Sequence, residues 1–282
     1  MNTTGIFADI FSKLTDDVEL LPALPEITQS IRKLTQDPDC TVKIAADLLK
    51  ADPGLVAYVM RVSNSVRYML GEPPRDIEAA VLRLGLSATA NLATTYATRS
   101  MFVPSSPALK TMLLDCYERA TKIAVLSYLL AKKINNIDAD EAMLAGLLQD
   151  IALPPLLIRL SERPEIFEDA EKLNEAIDVL SPKINALVLR HWNFDEKLID
   201  VVRTRKQWSR DEQENLDMSD VVLIARWYVS VEYDDGNLPD FSAIPAMKKL
   251  PADELTDDNL LKLLDESSQV IEELQQMLQC AA

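Results

Sequence analysis

The apolar residues of this chain recur at intervals of three and four, which is the spacing of one face of an α-helix. The longest such pattern runs from Leu109 to Ile134 and predicts one long helix with a wide apolar face. The strict alternation of apolar and polar residues that is typical of half-buried strands is missing. The pattern therefore predicts an all-α protein.

Capping residues divide this pattern into shorter helices. We expect caps at Thr41, Asp52, Asp76, Ser87 and Ser181, first helical residues at Pro25 and Pro182, and a helix end at Gly85. Two more helices are expected near residues 220–231 and 258–279. The segment FVPSSPALK is rich in proline and serine, which favours a domain boundary there. We expect an N-terminal helical subdomain over residues 1–103, a helical bundle over 104–212 and an acidic helical extension over 213–282.

Charge and hydropathy narrow the class of protein. The 282 residues carry a net charge of −16, which disfavours nucleic acid as a partner because nucleic-acid affinity depends on basic residues. Basic residues outnumber acidic ones between residues 54 and 110, where Arg61 and Arg67 are candidates to bind an anion or an acidic partner. The longest uncharged run, residues 84–98, is shorter than the ~18 apolar residues of a membrane span. The N-terminus does not resemble a signal peptide, so we expect a cytoplasmic protein.

Few residues could carry catalysis. The single histidine, His191, ends a predicted helix, and no sequence signature of a nucleophile accompanies it. The cysteines Cys40, Cys116 and Cys280 are widely spaced and indicate reduced thiols rather than a disulfide or zinc site. Asp150 is unusual because it lies within the apolar stretch GLLQDIALPPLLI, and a buried carboxylate needs a partner.

Two separated blocks of sequence resemble HDOD domains. The first contains LPALPEITQS, the Asp-Pro helix start and Asn-Ser turn of ADPGLVAYVMRVSNS, and IEAAVLRLGL. The second contains LDCYERATKIAVLSYLLA and AMLAGLLQDIA, which is similar to the GLLHDIG helix of HD-type phosphohydrolases. The order of these pieces over residues 20–208 identifies the chain as a member of the family. The resemblance implies an N-terminal helical subdomain packed on a degenerate HD-like bundle.

The resemblance also implies where metal ligands have been lost. In catalytic relatives, histidines and the aspartate of the HD pair hold metal ions that activate water. Those ligand positions correspond here to Arg119, Gln149, Asp150, Ser181, Thr204 and Arg205. Asp150 alone keeps the ligand residue type, so the resemblance implies no metal, no cofactor and no catalytic residue. We expect Arg119 to lie beside Asp150 and to replace the metal cation with a guanidinium.

The function implied by the resemblance is signal transduction without catalysis, by binding a signalling or regulatory protein. One alternative is a sensor that holds a nucleotide or another anion in the degenerate cavity, with charge supplied by Arg119 and Arg205. A second alternative is a residual metal-dependent phosphohydrolase. Asn64 and Ser65 are expected to have a structural role in the turn after the Asp-Pro helix, because Asn64 can bond backbone groups that the helix end leaves unpaired.

Overall fold

The computed structural model describes residues 3–16, 21–68, 72–102, 107–236 and 238–250. The predicted helix near 258–279, Cys280 and residues 251–282 of the predicted acidic extension lie outside these residues. The described part is helical and contains no strand, which confirms the predicted fold class. In chain order the helices are α1 (Thr3–Asp16), α2 (Glu26–Thr35), α3 (Val42–Leu49), α4 (Pro53–Ser63), α5 (Ile77–Leu84), α6 (Leu86–Arg99), α7 (Pro107–Lys133), α8 (Ala139–Leu148), α9 (Leu153–Ser161), α10 (Pro164–Phe167), α11 (Ala170–His191), α12 (Glu196–Thr204), α13 (Met218–Glu232) and α14 (Pro245–Lys248).

The chain divides into two compact units. Among the described residues, the first unit comprises those from 3 to 23 and from 101 to 249, and the second unit comprises those from 24 to 100 with Leu250. The division at Met101 lies close to the boundary expected near residue 103. In contrast to the expected domains, α1 groups with the helices that follow Met101, where its buried Ile10 and Leu14 contribute to the core.

The helix starts follow the capping signals in several places. Side chains of Thr41, Asp52 and Asp76 accept hydrogen bonds from the backbone at the starts of α3, α4 and α5, as predicted. The prediction of a cap at Ser87 is wrong, because α6 begins at Leu86 and Ser87 is its second residue. Gly85, with φ of 83°, directly precedes the helix. Pro25 lies at the N-cap of α2, one position before the first helical residue.

The predicted helix start at Ser181 and Pro182 is also wrong. Helix α11 runs through both residues without a break. Its buried apolar face continues on both sides of the proline, from Leu180 to Ile184, and this packing outweighs the loss of one backbone hydrogen bond. Ser181 is buried, and its hydroxyl donates to the Ile177 carbonyl 2.5 Å away.

The core of the first unit is built on α7, the long helix predicted from the apolar pattern. Helix α8 packs along α7, and their close approach occurs at Gly146. Among the described residues, Ala139–Ser161 is long and apolar enough to cross a membrane, but most of it is buried within the unit. A turn around Asp150 also interrupts this stretch. The stretch therefore belongs to the core of the unit.

The close approach of α7 and α8 predicts that Gly146→Ala destabilises the protein. An added methyl carbon would lie 2.8 Å from the Ala124 Cα atom and 2.9 Å from the Ser127 hydroxyl. Overpacking typically costs about 1–3 kcal/mol, of which the better helix propensity of alanine offsets about 1 kcal/mol. Urea unfolding should therefore report a net loss of about 1 kcal/mol, the middle of the resulting range of about 0–2 kcal/mol. Gly236→Ala is the control, because its added carbon meets no atom within 4 Å. A stabilised Gly146→Ala variant would contradict this account.

Candidate functional site

The site is organised around the turn between α8 and α9, and Asn185 on α11 fixes the shape of that turn. The Asn185 Nδ2 group donates to the Gln149 carbonyl over 2.6 Å, and its Oδ1 accepts from the Ala152 backbone N–H over 2.7 Å. Asn185 is fully buried. One side chain thus satisfies two buried backbone groups that no helix pairs, and Asp150 is held between them.

Asp150 is buried and forms ion pairs with two arginines. Its Oδ1 atom lies 2.8 Å from Nε of Arg205, and its Oδ2 atom accepts a hydrogen bond of 2.6 Å from Nη1 of Arg226. The Arg205 contact is an ion pair without the alignment of a hydrogen bond. Both carboxylate oxygens are therefore occupied by guanidinium groups from α13 and from the end of α12.

The two arginines outweigh the effect of burial on Asp150. Burial alone would raise the pKa of the carboxyl group, but the charges of Arg226 and Arg205 lower the pKa of Asp150 to about 2. Asp150 is therefore ionised at neutral pH. One carboxylate with two guanidiniums leaves a net charge of +1 at the centre of the site.

Two of the other expected site residues join this cluster, whereas Thr204 does not. Gln149 accepts a hydrogen bond of 2.8 Å from Arg226 and donates to the Gly146 carbonyl. The Ser181 hydroxyl accepts a hydrogen bond from Nη2 of Arg205. The Thr204 hydroxyl instead bonds the Asp200 carbonyl within its own helix, which is the common way for a helical threonine to satisfy its hydroxyl.

The expected pairing of Arg119 with Asp150 is wrong. Arg119 donates to Asp235 over 2.6 Å and to Asp115 over 3.1 Å. Its guanidinium also lies 4.1 Å from the centre of the Tyr233 ring, a cation–π contact. Arg119 is thus satisfied by groups on α7 and after α13, while the counter-charge for Asp150 comes from the two other arginines.

A cavity of about 500 Å³ opens beside this cluster. Its walls include the charged side chains of Asp115, Arg119, Asp150, Asp178, Lys206, Arg226 and Asp235. Leu153, Ile177 and Trp208 supply apolar and aromatic surface. Cys116 also lines the cavity, and burial, assisted by the charges of Asp150 and Asp115, raises the pKa of its thiol to about 12. The thiol is therefore protonated at neutral pH and is not an activated nucleophile.

The residues around Asp150 do not fit a metal ion. A guanidinium has no lone pair to offer a metal ion, and here two guanidiniums take both oxygens of the carboxylate, with one neutral amide beside them. No group of three or more histidine, cysteine, aspartate or glutamate side chains in the described ranges could hold a metal ion. His191 lies exposed at the end of α11.

The candidate basic residues and the Asn-Ser turn lie in the second unit. Arg61 is exposed on α4, and Arg67 is half-buried in a short 3-10 turn, with its guanidinium 4.8 Å from the Tyr68 ring centre. Asn64 directly follows α4, and its Nδ2 group donates to the Met60 carbonyl over 2.8 Å. The Ser65 hydroxyl is buried and donates to the Val62 carbonyl over 2.7 Å. Both turn residues therefore donate to carbonyls at the end of the helix.

Comparison with known proteins agrees with this architecture. The model of the HDOD domain matches residues 21–208, which is more than half of the chain. The chain belongs to the HDOD family. This HDOD chain is 24% identical over 257 residues to an uncharacterized protein of Treponema pallidum, covering 86% of this chain and 47% of that protein. The chain therefore spans about half the length of the curated relative it matches.

Solved structures share the HDOD fold over nearly the full chain. A candidate metal-dependent phosphohydrolase from Shewanella amazonensis SB2B is 21% identical, with a TM-score of 0.78 and coverage of 98% of this chain and 99% of that chain. An HDOD domain protein with unknown function from Geobacter sulfurreducens is 20% identical, with a TM-score of 0.66 and coverage of 92% and 93%. A candidate signal transduction protein from Marinobacter aquaeolei VT8 is 19% identical, with a TM-score of 0.64 and coverage of 99% and 65%.

Sequence reasoning missed two residues that shape the HDOD site. Asn185 lies in the middle of an amphipathic helix, and no local pattern marks it as a clamp on a distant turn. Arg226 lies within the predicted helix near 220–231, beyond the matched residues 21–208. A signal was present for Arg226, because an arginine stands alone there within the apolar sequence VVLIARWYV.

The ion cluster predicts the effect of Asp150→Asn on stability. The change leaves two buried guanidiniums short of a counter-charge, so the free energy of unfolding at pH 7 should fall by about 3 kcal/mol. Because the folded-state pKa of Asp150 lies below its unfolded value, its contribution is present above about pH 4 and is lost as the pH falls toward 2. The difference in the free energy of unfolding between wild type and variant should therefore be about 1 kcal/mol smaller at pH 3 than at pH 7.

Urea unfolding at each pH measures this gap. Asp178→Asn is the matched control, because Asp178 pairs with Lys206 at the surface with 52% of its side chain exposed. It should change the free energy of unfolding by less than about 1 kcal/mol. An Asp150→Asn variant as stable as the wild type at pH 7 would mean that the arginines do not depend on this carboxylate.

Proposed function

We propose that this HDOD chain is a non-catalytic regulatory protein that acts by binding a signalling or regulatory protein. The observation that carries the proposal is the state of Asp150, since both oxygens of the one retained ligand residue are held by guanidiniums. A phosphohydrolase of the HD type needs those oxygens for a metal ion. The relatives that share the fold include a candidate signal transduction protein, which is in keeping with a regulatory role.

Electrostatics support the absence of catalysis. Two unit charges about 4 Å apart repel by about 4 kcal/mol at an effective dielectric of 20, and an incoming cation would meet both Arg205 and Arg226. Displacing the arginines would leave them buried without the carboxylate, which is itself costly. Residual metal-dependent phosphohydrolase activity is therefore the weakest alternative, although a relative of the same fold is a candidate metal-dependent phosphohydrolase.

A ligand sensor is the second candidate function, and the cavity beside Asp150 favours it. A volume of about 500 Å³ is within the range of small-molecule sites. The nucleotide form of this alternative is weakened by two observations. Arg205 is buried and does not line the cavity, and the lining carries four carboxylates against three cations, a net negative charge that disfavours phosphate groups.

The first prediction of this proposal is that restoring the HD motif does not restore a metal site. Gln149→His supplies one imidazole beside Asp150, but the two guanidiniums remain and too few ligands are present. Purified wild type and variant should both lack stoichiometric Mn, Fe, Ni and Zn by elemental analysis. Neither should hydrolyse phosphomonoesters or phosphodiesters with these metals added. Stoichiometric metal with chelator-sensitive turnover in the wild type would overturn the non-catalytic proposal.

The second prediction concerns the partner surface. Arg61→Glu with Arg67→Glu should reduce the recovery of partner proteins from lysate of the native cell at least about tenfold, because the charge reversal would repel an acidic partner. Lys13→Glu with Lys172→Glu makes the same change of net charge in the other unit and should leave recovery unchanged. Equal recovery with both double variants would mean that the two arginines are ordinary solvated surface. Urea unfolding of both variants separates loss of binding from loss of folding.

A further inference from the structure

The cavity beside Asp150 carries a net negative charge at one end. Arg119 there is shared by Asp115 and Asp235, so two carboxylates face one guanidinium. The two side chains are 46% and 39% exposed, respectively, and each carboxylate has lone pairs beyond the one that Arg119 uses. This end of the cavity can therefore accept hydrogen bonds from an ammonium group.

The other end of the cavity carries a net positive charge. Arg205 and Arg226 together face the single carboxylate of Asp150. Arg226 lines the cavity and makes its contacts with Gln149 and Asp150 through one nitrogen, Nη1. Lys206 also lines the cavity and, with three N–H donors, can bind a further acceptor besides Asp178. This end can donate hydrogen bonds to a carboxylate.

Part of the cavity wall is neutral. Leu153, Ile177 and Trp208 are apolar or aromatic, and Cys116 is a protonated thiol. The pKa of the Cys116 thiol responds to charges of both ends, to Asp150 and Arg226 as well as to Asp115 and Arg119. Both ends therefore lie within electrostatic reach of one side chain. The cavity thus presents side chains of both charges together with apolar surface.

We propose that this cavity binds a zwitterionic ligand of the amino acid or short peptide class. Its carboxylate would bind Arg226 and Lys206, its ammonium group would bind Asp115 and Asp235, and apolar side chains would contact the wall near Trp208. A nucleotide would place two or more negative charges among four carboxylates, and a polycation would meet the guanidinium of Arg226. A ligand with one charge of each sign matches both ends. The inference rests on the proposed function only in that the site binds without hydrolysis.

The test compares one dipeptide with forms that lack one charge. Isothermal titration and thermal shift would be measured with alanyl-leucine, N-acetyl-alanyl-leucine, alanyl-leucine amide and adenosine monophosphate. Alanyl-leucine is expected to raise the melting temperature, because a ligand that binds the folded state stabilises it. Each blocked form is expected to bind at least about tenfold more weakly, since it loses the ion pairs at one end.

Single variants then assign each charge to its end. Asp235→Asn should weaken the binding of alanyl-leucine but leave that of the N-acetyl form unchanged. Lys206→Gln should weaken the binding of alanyl-leucine but leave that of the amide unchanged. Both side chains are 39% exposed, so the variants should fold. Lys172→Gln, on a surface pair outside the cavity lining, is the control and should change no affinity.

Two results would overturn the inference. One is binding of either blocked form or of adenosine monophosphate as tight as that of alanyl-leucine. The other is no shift of the melting temperature with any of the four compounds. Neither result would bear on the non-catalytic proposal, which depends on the separate measurements of metal content and hydrolysis.

Discussion

A carboxylate that is buried among helices must be compensated, and the arrangement of the first unit follows from how Asp150 meets that requirement. The apolar sequence on either side of Asp150 places this aspartate in the interior, whichever groups pair with it. A buried carboxylate without a partner would destabilise the fold by more than the packing of the neighbouring apolar side chains stabilises it. Arg205 and Arg226 remove that cost by contacting one oxygen each.

The two arginines also connect parts of the chain that are distant in sequence. The turn after α8 carries the carboxylate, the end of α12 carries Arg205, and α13 carries Arg226. Asn185 on α11 holds the same turn through its backbone. A polar cluster at the centre therefore specifies how four helical segments meet, which apolar contacts alone define less uniquely. An internal ion cluster thus joins these segments.

Local signals made much of this fold predictable. The caps at Thr41, Asp52 and Asp76 and the long helix α7 follow from short-range chemistry, and the apolar surroundings identified Asp150 as buried. The failures at Ser181 and Arg119 share a cause, because each involves a contact with a residue that is distant in sequence. Ser181 and Pro182 look like a helix start until the continuous buried face of α11 is known. Arg119 aligned with a ligand position, yet Asp115 and Asp235 are its partners, and sequence order could not choose between these carboxylates and Asp150.

The origin of Arg226 has a consequence for where this domain ends. The residues that match the family stop at 208, whereas half of the charge compensation for Asp150 comes from α13, which starts at Met218. A fragment cut at the edge of the sequence match would keep the buried carboxylate and discard one of its two counter-ions, together with the apolar side chains of Val221, Val222 and Leu223. The physical unit is thus longer than the stretch that the family model matches. The charge on Asp150 is balanced only when α13 is included, so the end of that match at residue 208 is not the end of the folded unit.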